Sequence, residues 1–294
     1  MQKRSQRLDG RAVSTRQLAQ AIGVSESSVK RWVDEGALMA IRTVGGHRRI
    51  PIAEAVRFVR DTRATVAKPA MLGLATLGAD AEQLVDHLMV GASSAVRGVL
   101  QGLYLGGRSV ASIVDGPIRT AMQQIGERWR AEPDGIFVEH RATDICIQWL
   151  NQLRPLLVVD EAAPVAVGGT PPGDPYVLPS LAVATALEAE GVRAVNLGPE
   201  TPIDTLVLAI RRERAAMVWL SVSTDAARDA LAAGLGTLVG AMREAGSHLV
   251  LGGRALEARP LVVPADVQVA SAVAEAAAFA RGLCATPRTE RSTA

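Results

Sequence analysis

Glu139 and His140 stand side by side after Trp129 and Arg130, and Asp174 opens a short loop two residues ahead of Tyr176. These residue types can cover or ligate a bound group. Imidazole suits a transition metal and proton transfer near neutral pH, whereas a phenol ionises at about pH 10 and is a poor neutral donor. Adjacent residues on a helix point ~100° apart, so Glu139 and His140 make a poor acid–base couple and a better pair for covering a ligand. The remaining histidines, His47, His87 and His248, fall in separate elements. Cys146 and Cys284 lie far apart with no Cys-x-x-Cys around either, which supports neither a zinc site nor a disulfide framework. The loop "GGTPPGDPYVLPSL" (Gly168 to Leu181) is not a dinucleotide-binding G-x-G-x-x-G, and no Walker-type phosphate loop occurs. The expectation is a protein that binds a ligand and is not an enzyme.

The elements that position these residues follow from periodicity. From Ala163 the runs "VAVGG", "RAVNLG", "AMVWLSVS", "HLVLGG" and "VQVA" alternate with helical stretches. That alternation predicts a Rossmann-like, doubly wound parallel sheet over 161–285, with ligand chemistry at the carboxyl ends of its strands. Between about Ala79 and Leu157, helical periodicity is broken at Gly91, Gly106-Gly107, Gly116-Pro117 and Pro133-Asp134-Gly135. We read a four-helix bundle over 68–160, its last helix running from about Phe137 to Leu153, and a disordered tail at 286–294. A 294-residue chain with 48% hydrophobic residues is long and apolar enough for such multidomain α and α/β architecture. No apolar run reaches the ~18 residues of a membrane span, and "MQKRSQRLDGR" lacks the apolar segment of a secretion signal, so a cytoplasmic protein with no membrane partner is expected.

Charge is unevenly distributed. Residues 1–68 hold 14 Lys/Arg against 6 Asp/Glu, net +8, and the remainder 18 against 24, net −6. The basic end is the part suited to a polyanion. Within it, "STRQLAQAIGVSESSVKRWVDEGAL" reads as two short helices, the first opened by Ser14 or Thr15 and the second capped by Ser25, around a turn at Gly23-Val24-Ser25. Leu18, Ala19, Ile22, Val24, Val29 and Trp32 form the buried seam. Ser27, Ser28, Lys30 and Arg31 are left for a DNA major groove. "LMAIRTVGGHRRIP" then describes a hairpin about Gly45-Gly46, a wing whose Arg42, His47, Arg48 and Arg49 can reach phosphates. A winged helix-turn-helix over 1–67 is expected.

With "VKRWVDEGAL" and "TVGGHRRIP", this stretch resembles the DNA-binding domain of MerR-type and excisionase-type regulators, over roughly 12–62. The resemblance implies a homodimer on a near-palindromic double-stranded operator. The order of winged helix-turn-helix, helical bundle and Rossmann-like domain resembles the cobalamin-dependent, light-sensing MerR-type repressors over nearly the whole chain. In that family a Trp and a Glu-His pair cover the upper face of adenosylcobalamin, which implies that role for Trp129, Glu139 and His140. Ser221 and Ser223 in "SVS", and Gly252-Gly253, match the residues around the buried nucleotide tail. The family places a His beneath the cobalt two residues after an acid. Here the acid is Asp174, while Tyr176 stands for the His and Pro179 for the following Gly. The residue after the motif Trp is Arg130 where the light sensors carry a second His.

Three readings follow from the sequence. The first is a transcription regulator that senses a tetrapyrrole, either adenosylcobalamin or a bilin or haem in its place, with the light-sensing resemblance implying a photoreceptor. Tyr176 is a candidate axial ligand for a ferric haem, whereas Cys146 fits a helix core better than a covalent bilin link. The second is a regulator that uses the α/β domain only to dimerise or to dock a protein. The third is a corrinoid carrier or enzyme.

Overall fold

The computed structural model describes residues 12–43, 45–72, 83–129 and 134–285, with the backbone alone at 128 and 129. Arg130 and the tail 286–294 lie outside the described residues. The chain forms two compact units: one runs up to Arg108 and resumes over Pro117–Val158, and the other combines Ser109–Gly116 with the chain from Val159 onward. No helix among the described residues is long and apolar enough to cross a membrane.

The first unit opens with β1 (Ala12–Ser14), α1 (Thr15–Ile22) and α2 (Glu26–Asp34). Ser14 starts α1 by a capping box: its hydroxyl accepts the Gln17 N–H at 3.1 Å while the Gln17 side chain accepts the Ser14 N–H at 2.8 Å. Gly23 ends the helix at φ 73°, a conformation that favours glycine. Ser25 caps α2 by accepting the Ser28 N–H at 3.1 Å. Strands β2 (Ile41–Arg42) and β3 (Arg48–Pro51) complete a three-stranded antiparallel sheet in the order β1-β3-β2, with Val13 opposite Ile50 and Ile41 opposite Arg49. Leu18, Val29, Leu38 and Ile50 are fully buried beneath it. Trp32 stacks on Phe58 of α3 (Ile52–Thr62) at 4.9 Å between ring centroids, a packing role.

Glu54 of α3 is 7% exposed, and it ties the chain before the hairpin to the helix. Its Oε1 accepts the Met39 N–H at 2.9 Å and meets the Arg57 guanidinium at 2.5 Å. Burial pushes the carboxyl up, but the bonds from Arg57 and Met39 outweigh it and hold Glu54 below the usual carboxylate range. A depressed folded-state pKa gives stability that is present above the unfolded value of about 4.3 and is lost as pH falls through the folded value. Glu54→Gln should therefore lower stability at pH 7 by about 1–3 kcal/mol and flatten the loss between neutral pH and about pH 3. Thermal unfolding of both proteins across that range checks this; parallel pH profiles would remove Glu54 from the acid transition.

Four further helices complete this unit: α4 (Leu84–Val90), α5 (Ser93–Leu105), α7 (Arg119–Trp129) and α8 (Gly135–Leu153). α8 buries Ala142, Ile145, Cys146, Trp149, Leu150 and Leu153, one apolar stripe at helical spacing. Arg60 of α3 binds the carbonyls of Tyr104 and Arg108, and its guanidinium lies 3.9 Å from the Tyr104 ring centroid.

The second unit is a five-stranded, wholly parallel sheet in the order β5-β4-β6-β7-β8. The strands are β4 (Val165–Gly169), β5 (Arg193–Asn196), β6 (Met217–Ser221), β7 (His248–Gly252) and β8 (Val267–Ala270), which coincide with the five apolar runs. Helices α9 (Val177–Ala189) and α13 (Val273–Ala285) cover one face, with α10 (Ile203–Glu213) and α11 (Asp225–Ala245) covering the other, around cores that include Trp219 and Val218 respectively. This is a Rossmann-like, doubly wound α/β fold, whose chain reverses direction across the sheet between β4 and β6. Residues Ser109–Gly116, inside the span expected to be bundle, pack in this unit: α6 (Val110–Ile113) lies against α9, and Asp115 accepts the N–H groups of Val273 and Ala274 at 2.9 and 2.8 Å. Sequence periodicity reads that segment as one more helical turn and cannot place a capping partner over 150 residues away.

Candidate functional site

Two groups of residues have chemistry to offer. The first lies on α2 and the hairpin. Lys30 and Arg31 are exposed, held along the helix by Glu26 at 3.0 Å and Glu35 at 3.8 Å. The Glu26 carboxyl is held below its usual range by its bonds to Lys30 and Thr15. Ser27 and Ser28 both hydrogen-bond the Ser25 hydroxyl, at 2.8 and 2.9 Å, so their hydroxyls join the cap. Arg42, His47 and Arg49 are exposed on the hairpin. Arg48 is half-buried and differs from them, since its guanidinium spans both oxygens of Asp34 at 2.6 and 3.3 Å and reaches the Lys30 carbonyl at 3.4 Å. It fastens the hairpin to α2.

On α8, Glu139 and His140 are neighbours with His140 Nε2 3.5 Å from Glu139 Oε2. The imidazole is 76% exposed, whereas Glu139 is turned inward and accepts the Thr143 hydroxyl at 3.1 Å. Ile136 and Phe137 are exposed beside them, a feature that helical periodicity from Phe137 onward did not single out. Trp129 is the last residue of α7.

The second group lies at the carboxyl ends of the parallel strands, where doubly wound sheets take ligands. The chain binds itself here. Asp174 is fully buried; its Oδ2 accepts the Ser223 N–H at 2.5 Å and its Oδ1 the Tyr176 N–H at 3.1 Å. The first of these bonds spans the β4 and β6 loops, the reversal point of the sheet. Beside it the Thr224 hydroxyl donates to the Gly173 carbonyl at 2.7 Å. Thr170, also fully buried, donates to the Asp174 carbonyl at 2.7 Å and accepts the Glu200 N–H at 3.1 Å, drawing in the β5 loop. Arg254, after β7, donates to the Ser223 carbonyl at 2.8 Å and lies 5.0 Å over the Tyr176 ring. Tyr176 itself is 40% exposed at this edge.

Ser221, the last residue of β6, and Ser223, in the loop after it, are buried. Gly252 and Gly253 are required by the chain's own backbone: a Cβ on Gly252 would stand 2.8 Å from the Ala270 carbonyl oxygen, and one on Gly253 2.4 Å from that of Val222. Sequence reasoning missed Arg254 and Trp219. The Trp219 indole is 1% exposed, covers Gly168 so closely that a Cβ there would lie 2.2 Å from the ring, and donates to the Ser180 hydroxyl at 3.3 Å.

These residues do not fit a corrinoid held by a protein ligand beneath the cobalt. The loop offers a phenol engaged by a guanidinium, and both oxygens of its acid are spent on backbone N–H groups. A bilin thioether at Cys146 is disfavoured too, since burial pushes that thiol up to about 12. Among the described residues no group of His, Cys, Asp and Glu is placed to hold a metal ion.

No family model matches the chain, and no curated protein does. Among solved structures, a cobalamin-binding protein of Desulfitobacterium hafniense DCB-2 matches at 17% identity and a TM-score of 0.35, covering 69% of this chain and 98% of that one. The monomethylamine corrinoid protein of Methanosarcina barkeri matches at 18% identity and 0.49, covering 68% and 96%. The methanol:cobalamin methyltransferase complex of Methanosarcina barkeri matches at 16% identity and 0.34, covering 70% and 79%. With TM-scores below 0.5 these are partial likenesses, and the functional reading is built from this chain's own residues.

Proposed function

We propose that this protein is a DNA-binding transcription regulator of the MerR type, acting as a homodimer on a double-stranded operator, with the α/β unit as its sensing module. It is read as a regulator and not as an enzyme or corrinoid carrier. The observation that carries this is the union of α2 and the hairpin: Lys30, Arg31, Arg42, His47 and Arg49 are exposed on two elements clamped together by Arg48 and Asp34 at 2.6 Å. A capped helix pair with a clamped, cationic hairpin supports the reading of a winged helix-turn-helix, in which the second helix enters the major groove and the wing follows phosphates. The ligand class proposed for the α/β unit is a tetrapyrrole, cobalamin-type or haem- or bilin-type, held without a histidine beneath the metal and from outside the strand-end loops, since Ser221, Ser223 and Gly252-Gly253 are taken up by the chain itself. Arg254 and Tyr176 at the loop edge are its nearest exposed partners.

The test is selection from random duplexes followed by titration across salt. Selected sites should be near-palindromic, with half-sites about one helical turn apart or a multiple of it. Arg42→Ala with Arg49→Ala should remove two phosphate contacts, reducing the slope of log K against log salt by about 1.8 and leaving the preferred sequence unchanged. An unchanged slope would take the wing out of the interface. A second reading, in which the α/β unit binds no small molecule and serves dimerisation or a protein partner, is favoured by the closure of the strand-end crevice through Asp174 and Ser223. Absorption spectra after incubation with adenosylcobalamin, haem or biliverdin separate the two; uptake of none of them selects the second.

A further inference from the structure

The interior layer on the α9 face of the sheet combines alanines, Ala166, Ala184, Ala194 and Ala270 among them, with Leu187, Met217 and Val250, and one fully buried aromatic ring stands among them. That ring is Trp219. It stands against Gly168 of the neighbouring strand, where a Cβ would meet both the ring and the Trp219 carbonyl. Its N–H meets Ser180 at 3.3 Å, and Ser180 donates onward to Asn196 at 2.7 Å, so the one polar atom of the ring is satisfied inside the protein. Above it, the loops of β4, β5, β6 and β7 are joined by the bonds of Asp174, Thr170 and Arg254. The loops at the carboxyl ends of four strands are thus bonded to one another by the chain's own groups.

We infer that Trp219 is a built-in stand-in for a ligand's buried base: the bicyclic indole occupies the layer that a benzimidazole-bearing tail would need, so the α/β unit admits no inserted tail. A ligand of this unit is held from outside the loops. The layer is well packed and its polar groups are paired, so opening it would forfeit contacts that an entering base would have to replace. The inference concerns only the ligand half of the proposed function, and a failure of operator binding would leave it standing.

The experiment compares retention, by equilibrium dialysis, of cobalamin and of cobinamide, which has the corrin ring without the nucleotide tail, on the full chain and on Trp219→Ala. The wild type should show no preference between the two probes, retaining both alike or neither. Trp219→Ala should favour cobalamin by at least about tenfold, and free indole or benzimidazole should raise its melting temperature, as ligands fill an apolar cavity. Wild-type preference for cobalamin of tenfold or more would overturn the inference, as would a folded Trp219→Ala protein indifferent both to the tail and to indole. Should that variant not fold, Trp219→Val, which opens part of the layer and keeps it apolar, takes its place and is held to the same two outcomes, while Trp219→Phe, which keeps the layer filled, is expected to stay without preference.

Discussion

Replacing Asp174 with alanine is expected to lower the stability of the α/β unit by about 2–5 kcal/mol, from two backbone donors that lose a charged acceptor at roughly 1–3 kcal/mol each. The carboxylate is fully buried and accepts two backbone N–H groups, those of Ser223 and Tyr176, which belong to different loops. Removing it strands the buried Ser223 donor and leaves the part-buried Tyr176 donor without its acceptor, and the β4 and β6 loops lose their cross-bond. At roughly 3 °C per kcal/mol for a unit of this size, the melting transition of the α/β unit should fall by about 10 °C. Asp174→Asn retains one acceptor and should fall between. A change within about 0.5 kcal/mol for the alanine variant would mean that the buried donors find water or other partners, and the closed-crevice account would fail.

Gly253→Ala should be at least as damaging, costing about 3 kcal/mol or more or yielding no folded α/β unit. Gly253 has φ 118° and ψ 159°, a region open in practice only to glycine. A Cβ there would also lie 2.4 Å from the carbonyl oxygen of Val222 and 2.7 Å from its nitrogen. Those atoms are committed, since the Val222 N–H donates to the Gly252 carbonyl at 2.8 Å and its carbonyl accepts the Ala255 N–H at 3.1 Å. Gly236 provides the contrast: it sits within α11 with open space where a Cβ would go. Gly236→Ala should stabilise by about 0.5–1 kcal/mol. Denaturant unfolding of both variants against wild type separates them, and a Gly253→Ala protein of wild-type stability would contradict the close approach.

The five strands were legible because a parallel sheet covered on both faces is written as short apolar runs. The helix starts at Ser14 and Ser25 were legible because caps are local chemistry, readable within a few residues. What could not be read was the use made of residues at the strand ends. Gly252-Gly253 look the same whether the backbone that approaches them belongs to a ligand or to Val222 and Ala270. Asp174 reads as an acid in a ligand loop, yet its partner Ser223 lies 49 residues away, and only the fold reveals that the bond is internal. Trp219 reads as one more apolar strand residue, because Gly168 and Ser180, which give it room and a partner, come from other elements. Arg48 shares its residue type and exposed neighbourhood with Arg49, and the side-chain bond to Asp34 that sets it apart is likewise tertiary.

The segment Ser109–Gly116 has a consequence for how such a chain can be inherited or cut. Val110, Ala111 and Ile113 are buried, and Asp115 caps α13, so the α/β unit draws part of its core from sequence that lies before α7 and α8 of the other unit. A fragment that begins after the bundle lacks that piece and exposes the apolar surface it covered. The α/β unit is therefore not a cassette that one recombination event can lift out and attach to another domain; a chimera that folds must carry both stretches together, with the helices that join them.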